Sequence, residues 1–118
     1  MRSEEKPLFW VGSSKKELMN LPEAVIDTFG HALGLVQIGM RFPDTKPLKG
    51  LGGVDEILEN YKGDTFRAVY TAKFGDNVYV LHCFQKKSSS GISTPKPDME
   101  IIKARLKEAK KHAEGRTS

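Results

Sequence analysis

The chain has 118 residues, of which 38% are hydrophobic and 29% are charged. This composition predicts one soluble domain spanning residues 1–118 and excludes an intrinsically disordered chain. The sequence has no apolar run near the roughly 20 residues that a membrane-spanning helix needs, and its N-terminal apolar stretch is too short for a signal peptide. With a single cysteine, Cys83, we therefore expect a cytoplasmic protein, and the net charge of +4 favours anionic partners.

The first part of the chain predicts a strand followed by two helices. Pro7–Val11 is a short apolar run that indicates an edge strand. Ser14 and Glu17 have the spacing of a capping box, so a helix is predicted to begin at Ser14. Pro22 suits the first turn of a second helix, which is predicted to end near Gly39. The predicted buried face of that helix consists of Val25, Phe29, Leu33, Val36 and Met40.

The remainder predicts a loop, a three-stranded meander and a last helix. Arg41–Gly53 contains two prolines and three glycines and indicates a loop. The predicted strands are Val54–Tyr61, Thr65–Lys73 and Asn77–Phe84, with turns at Lys62-Gly63-Asp64 and Gly75-Asp76-Asn77. The apolar stripe of the last, basic helix is Met99, Ile102, Leu106, Ala109 and Ala113. Helices, then a meander, then a helix favour the α+β class.

The chemistry-bearing residues of this sequence are mainly cationic. The chain has neither a glycine-rich dinucleotide motif nor a P-loop, and one cysteine with three scattered histidines makes no recognisable zinc site, so we expect no cofactor and no metal. The basic set is Lys46, Lys49, Arg67, Lys86 and Lys87. His82 and Phe84 lie beside it on the last predicted strand.

Such a set suits the cleavage of RNA without a metal ion. One group must take the 2′-hydroxyl proton, cations must stabilise the charged phosphorane, and an acid must protonate the leaving 5′-oxygen. A Lys/Arg cluster supplies the stabilising charge directly. A lysine whose pKa is lowered by cationic neighbours can also transfer a proton.

Four blocks of sequence, in this order and spacing, carry a resemblance to a known family. They are K-P-L-K-G-L-G-G at Lys46–Gly53, G-D-T-F-R-A-V-Y-T at Gly63–Thr71, V-Y-V-L-H-C-F-Q-K-K-S at Val78–Ser88, and T-P-K at Thr94–Lys96. Together they resemble the RelE/HigB-like toxins of bacterial type II toxin–antitoxin systems, in the phage-derived branch. The resemblance implies an N-terminal strand and a helical hairpin packed on a twisted, mainly antiparallel sheet, with a C-terminal helix. It also implies a ribosome-dependent mRNA endoribonuclease that is neutralised in a complex with an antitoxin protein.

The same resemblance assigns roles to individual residues. Arg67 matches an arginine of the family's second meander strand and is a catalytic candidate. Lys86 matches a lysine that meets the scissile phosphate, Phe84 matches an aromatic that stacks on a base, and Lys49 matches a basic loop position. Lys46 and Lys87 are further predicted RNA-binding residues, and His82 is a third catalytic candidate. One departure stands out. Many members have Glu-Leu-Arg where this chain has Glu56-Ile57-Leu58, so an arginine that helps to hold the phosphate is absent. Either Lys62 or Arg67 compensates, or cleavage is weak or absent.

Simpler interpretations stay open beside these. Lys86 and Lys87 have the character of solvated lysines that discourage edge pairing. His82 alternates with Val80 and Phe84 and has the pattern of a half-buried core residue, and Phe84 itself suits the core. Two other functions remain as alternatives. One is a non-enzymatic ParE-like toxin that binds DNA gyrase, and the other is a degenerate phage-derived protein that keeps only antitoxin or nucleic-acid binding.

Overall fold

The computed structural model describes residues 5–86 and 94–115, and these contain five strands and three helices. The elements in chain order are β1 Leu8–Trp10, α1 Ser14–Met19, α2 Glu23–Gln37, β2 Thr45–Pro47, β3 Val54–Tyr61, β4 Asp64–Thr71, β5 Val78–Lys86 and α3 Lys96–Gly115. No helix within these residues is long and apolar enough to cross a membrane.

The strands form one sheet in the order β1-β5-β4-β3-β2. β1 runs parallel to β5, and every other neighbouring pair is antiparallel. The predicted α+β class is confirmed, and the arrangement is compatible with the RelE-like fold. The β3–β4 hairpin closes on two residues, Lys62 at φ 52° and Gly63 at φ 85°. Two positive φ angles are what a type I′ turn requires, and this turn matches the twist of the sheet.

Helices cover both faces of the sheet. α1 and α2 pack on one face through a cluster that includes Leu18, Phe29 and Leu33, and α3 packs on the other through Ile102 and Ala109. The predicted stripes of α2 and α3 are thereby confirmed, with one exception. Met40 is 58% exposed because α2 ends at Gln37 and Gly39, at φ 85°, turns the chain away.

Two local predictions for the N-terminal half are wrong. The predicted start of the helix at Ser14 is confirmed, but the predicted capping box is not: the cap residue is Ser13, and no side chain makes a capping hydrogen bond. The hydroxyl of Ser14 is buried and donates to the Val80 carbonyl at 3.1 Å. The predicted loop Arg41–Gly53 also contains a strand, β2, which pairs with β3. A three-residue edge strand that ends in proline has too few residues to show alternation.

A β-bulge in β5 changes which side chains face α3. Tyr70 pairs with Val80 and Val69 pairs with His82, so Leu81 is the extra residue. Val80 therefore faces the α1–α2 side, whereas His82 and Phe84 face the α3 side. The expectation that His82 shares a face with Val80 is wrong for this reason.

The outer edge of β5 is only partly covered by a strand. β1 pairs with Val78, Tyr79 and Val80 alone. Beyond them, side chains replace a strand: Glu17 accepts a hydrogen bond from the Cys83 amide at 3.2 Å, and Arg105 donates to the Leu81 carbonyl at 2.9 Å. The Cys83 side chain is buried, and burial raises the pKa of its thiol to about 12, as suits a small packing residue.

Candidate functional site

The register of the sheet brings most of the predicted site residues onto one face. Side chains of directly paired residues in antiparallel strands point to the same side. Across the sheet, one row runs Lys46, Glu56, Val69 and His82, and adjacent rows pair Arg67 with Phe84 and Thr65 with Lys86. This is the face that carries α3. We call Lys46, Arg67 and Lys86 the cationic cluster.

Arg67 is held in a buried ion pair. Its Nη1 donates to Glu56 Oε1 at 2.7 Å, and the two side chains are 5% and 3% exposed. Glu59, on the same strand as Glu56, accepts a hydrogen bond from Thr28. Within the described part of the chain, the buried Nε of Arg67 has no hydrogen-bond partner. A buried donor without an acceptor is costly, so an anionic oxygen placed there would be stabilised.

Lys86 lies inside the sheet rather than in the following loop. β5 continues to Lys86, which pairs with Thr65, and the residue is only 9% exposed. The expectation of an exposed lysine at the strand end is therefore wrong. Burial, together with the positive charges of Arg67 and Lys46, lowers the pKa of Lys86, and Glu56 acts in the opposite direction. Lys87 lies outside the described residues.

His82 is buried between two carboxylates. Its Nδ1 is 2.9 Å from Glu17 Oε1, its Nε2 is 2.8 Å from Asp98 Oδ1, and its ring stacks on Phe84 with centroids 4.7 Å apart. Carboxylates only accept hydrogen bonds, so an imidazolium, which carries both N–H groups, satisfies both contacts. At 5% exposure, His82 is more deeply buried than the half-buried position expected from the sequence. Both of its ring nitrogens are already hydrogen-bonded to carboxylates.

Glu17 is the centre of this polar cluster. Its carboxylate accepts hydrogen bonds from His82, the Cys83 amide, Ser13 and Arg105. Burial alone would raise the pKa of Glu17, but the bonds from His82, Arg105 and Cys83 outweigh it and lower the pKa to about 2. Sequence reasoning missed Glu17, Asp98 and Arg105 as a group because they come from three distant segments.

A pocket of about 330 Å³ opens beside the cationic cluster. Lys46 and Lys49, both predicted to bind RNA, line it together with Glu56, Thr94 and Met99. Phe84 is 8% exposed and belongs to the cluster of apolar residues beneath α3, so its predicted fit to the core is confirmed. The structure thus places Lys46, Arg67, His82, Phe84 and Lys86 on one sheet face, with Lys49 in the adjoining pocket. Arg67, Phe84 and Lys86 are themselves buried.

The sequence of this chain matches the model of one protein family. The family model described as phage-derived protein Gp49-like (DUF891) matches residues 16–107. The chain belongs to the Gp49-like family. The match runs from α1 into α3 and includes every site residue named above. Membership of the Gp49-like family fits the toxin of a toxin–antitoxin system, with an antitoxin as its partner. A search of curated proteins finds no match to this chain.

Leu58 of this Gp49-like chain stands where the resemblance to RelE/HigB-like toxins predicts an arginine. Leu58 pairs directly with Arg67 and lies on the same face. Lys46 lies next to Glu56 on the neighbouring strand, and its charge acts on Lys86. Lys62 is at the hairpin tip, where its Nζ lies 5.4 Å from the ring centre of Tyr61. Of Lys46 and Lys62, Lys46 is the one that lies on the face with Arg67 and Lys86.

Proposed function

We propose that this Gp49-like protein is the toxin of a type II toxin–antitoxin pair and acts as a ribosome-dependent endoribonuclease on mRNA, without a metal ion. The observation that carries the proposal is the grouping of Lys46, Arg67 and Lys86 on one sheet face beside Phe84. The positive charges of Lys46, Arg67 and Lys86 repel one another, and Glu56, which pairs with Arg67, offsets part of this repulsion. An RNA phosphate would relieve the remaining repulsion and would accept a hydrogen bond from Arg67 Nε, which has no partner within residues 5–86 and 94–115.

Each residue has a role in this chemistry. Arg67 stabilises the developing charge of the phosphorane. Lys86, whose pKa is lowered, holds the phosphate and is the candidate for proton transfer at the 2′- or 5′-oxygen. Lys46 replaces the charge of the absent arginine, and Lys49 guides the RNA backbone into the adjacent pocket. His82, with both nitrogens engaged by carboxylates, positions Phe84 by stacking on it.

The burial of Arg67 and Lys86 favours a second function. Arg67 and Lys86, which as whole residues are 4% and 9% exposed, would contact a phosphate only after their surroundings move. A non-enzymatic ParE-like toxin needs no such movement, because binding to gyrase does not involve a scissile phosphate. This is the alternative that the experiment must separate.

The test is inducible expression of the wild type and of Lys86→Met, followed by mapping of mRNA 5′ ends and an assay for DNA damage. New 5′ ends inside translated codons, absent in Lys86→Met, support the endoribonuclease. DNA damage with intact mRNA supports the gyrase binder. Absence of both mRNA cleavage and DNA damage, at equal expression, supports the degenerate protein that keeps only a binding function.

A salt titration with purified ribosomes tests the phosphate contacts independently. If the cationic cluster meets phosphates, the logarithm of affinity should fall linearly with the logarithm of salt concentration. Replacing one cation should reduce that slope by about 0.7–0.9. An unchanged slope in Lys46→Met would remove Lys46 from the RNA-binding surface.

A further inference from the structure

A second basic surface lies at the opposite end of β4 from Lys86. A groove of about 450 Å³ runs between α3, the loop before β3 and the residues after β4. We call it the lysine-rimmed groove. Its lining residues are Leu51, Lys73, Phe74, Lys103, Leu106, Lys107 and Lys110.

The floor of the lysine-rimmed groove is apolar and well supported. Leu51, Phe74 and Leu106 are partly buried and pack on the apolar cluster beneath α3. The Phe74 ring meets Tyr79 edge-on, with centroids 5.9 Å apart, and Tyr79 is itself 1% exposed. Because these contacts already order the side chains of the floor, binding costs little additional side-chain entropy there.

Four lysines give the rim of the groove a concentrated positive charge. Lys103, Lys107 and Lys110 lie on one side of α3 and are exposed. None of the three has an ion-pair partner within 4 Å in residues 5–86 and 94–115. Lysines four apart on a helix destabilise it by about 0.2–0.5 kcal/mol. Lys73 adds a fourth charge, donating to the Gly52 carbonyl at 2.8 Å with its Nζ 5.6 Å from the Phe74 ring centre.

We propose that the lysine-rimmed groove binds an acidic, amphipathic segment of the antitoxin. Leucine-type side chains of such a segment would cover Leu51, Phe74 and Leu106, and its carboxylates would meet the four lysines. An RNA backbone would use the lysines but leave the apolar floor uncovered, so the floor favours a peptide. That the partner is the antitoxin rests on the proposed function; the chemistry of the occupant rests on the groove alone.

The probe is a synthetic amphipathic helix with leucines on one face and glutamates on the other, titrated into the full chain and followed by amide NMR shifts and fluorescence anisotropy. Lys103→Glu/Lys107→Glu is the test variant. Lys15→Glu/Lys16→Glu is the matched control, because it reverses the same number of exposed charges on α1. A second peptide replaces every leucine with serine.

The proposal expects saturable binding with shifts at Leu51, Phe74 and Leu106, and affinity about tenfold or more weaker in Lys103→Glu/Lys107→Glu. The control variant should change affinity by less than about twofold, and the serine peptide should not bind. Equal affinity in both variants, shifts elsewhere, or equal binding of the serine peptide would overturn it. A poly-uridine strand that competes at the same residues would also overturn it and make the groove a nucleic-acid site.

The two proposals fail separately. If the chain cleaves no mRNA but the peptide binds as described, the endoribonuclease is lost and the groove stands. If Lys103→Glu/Lys107→Glu still cleaves mRNA and is still neutralised by a co-expressed cognate antitoxin, the endoribonuclease stands and the groove is lost as the antitoxin site.

Discussion

Arg67 has two roles in this protein, one in stability and one proposed in catalysis, and a pair of variants separates them. Replacing Arg67 with methionine keeps an unbranched side chain but removes the charge. Glu56 then remains as a buried carboxylate, 3% exposed, without the guanidinium that lies 2.7 Å away in the wild type. Removing one partner of a buried pair costs about 3–5 kcal/mol. Lys46 and Lys86 lie close enough to offset part of this cost, so we expect about 3 kcal/mol.

A second change should restore the fold without restoring the chemistry. In Glu56→Leu/Arg67→Met both charges are gone, and replacing a buried pair by apolar side chains is often neutral or stabilising. Urea unfolding should therefore place the double variant within about 1 kcal/mol of the wild type. Its mRNA cleavage should still be lower by about a hundredfold or more, equal to about 2.7 kcal/mol of transition-state stabilisation.

Two results would refute this reasoning. Recovery of cleavage in the double variant would show that Arg67 acts only through the fold. A single variant Arg67→Met that is as stable as the wild type would show that Glu56 does not depend on Arg67 for its burial.

Three further predictions concern other residues. Lys86→Met should lower cleavage about a hundredfold without lowering stability, because a lowered lysine pKa means that the fold disfavours the charged form. The stability of the wild type should increase as pH rises toward 10.5, where Lys86 is neutral in the folded protein but still charged in the unfolded chain. This increase should be absent in Lys86→Met and present in the exposed control Lys15→Met. Ionised Glu17 stabilises the fold above pH 4.5 by up to about 3 kcal/mol before solvent screening. This contribution should be lost as pH falls toward 2. Urea unfolding across that pH range should show the loss in the wild type but not in Glu17→Gln. Gly12→Ala should cost about 1–2 kcal/mol in thermal unfolding, because φ is +57° there and the new Cβ would lie 2.8 Å from Arg105 Nε.

The parts of the fold that the sequence predicts are those with a sustained periodicity. β3 has the predicted bounds, Val54–Tyr61, because eight residues with clear turn signals on both sides leave little freedom. β2 was not predictable, since Thr45–Pro47 is too short to alternate. The bulge at Leu81 was not predictable either, because an extra residue in a strand leaves no local mark, and it alone decides that His82 faces α3.

The site shows the same division. The sequence predicts Arg67, Lys86 and Lys46 as site residues, and the register brings these three candidates onto one face. Their burial is not readable, because it depends on elements from elsewhere in the chain packing over a strand. The contacts of Glu17 with His82 and Arg105 span 65 and 88 residues in sequence. A single sequence contains no sign of such pairs, and the capping-box spacing gave Glu17 a local role that it does not have.

The covered edge of β5 has a consequence for truncated forms of the protein. Arg105, which satisfies the Leu81 carbonyl, belongs to α3, and so does Asp98, which holds His82. Loss of α3 would therefore uncover a run of backbone groups at the margin of the sheet, along with the apolar face beneath it. Exposed strand margins recruit strands from other molecules. A chain cut before Lys96 should associate with its own copies rather than persist as a smaller monomer, so α3 protects the sheet from self-assembly as well as packing against it.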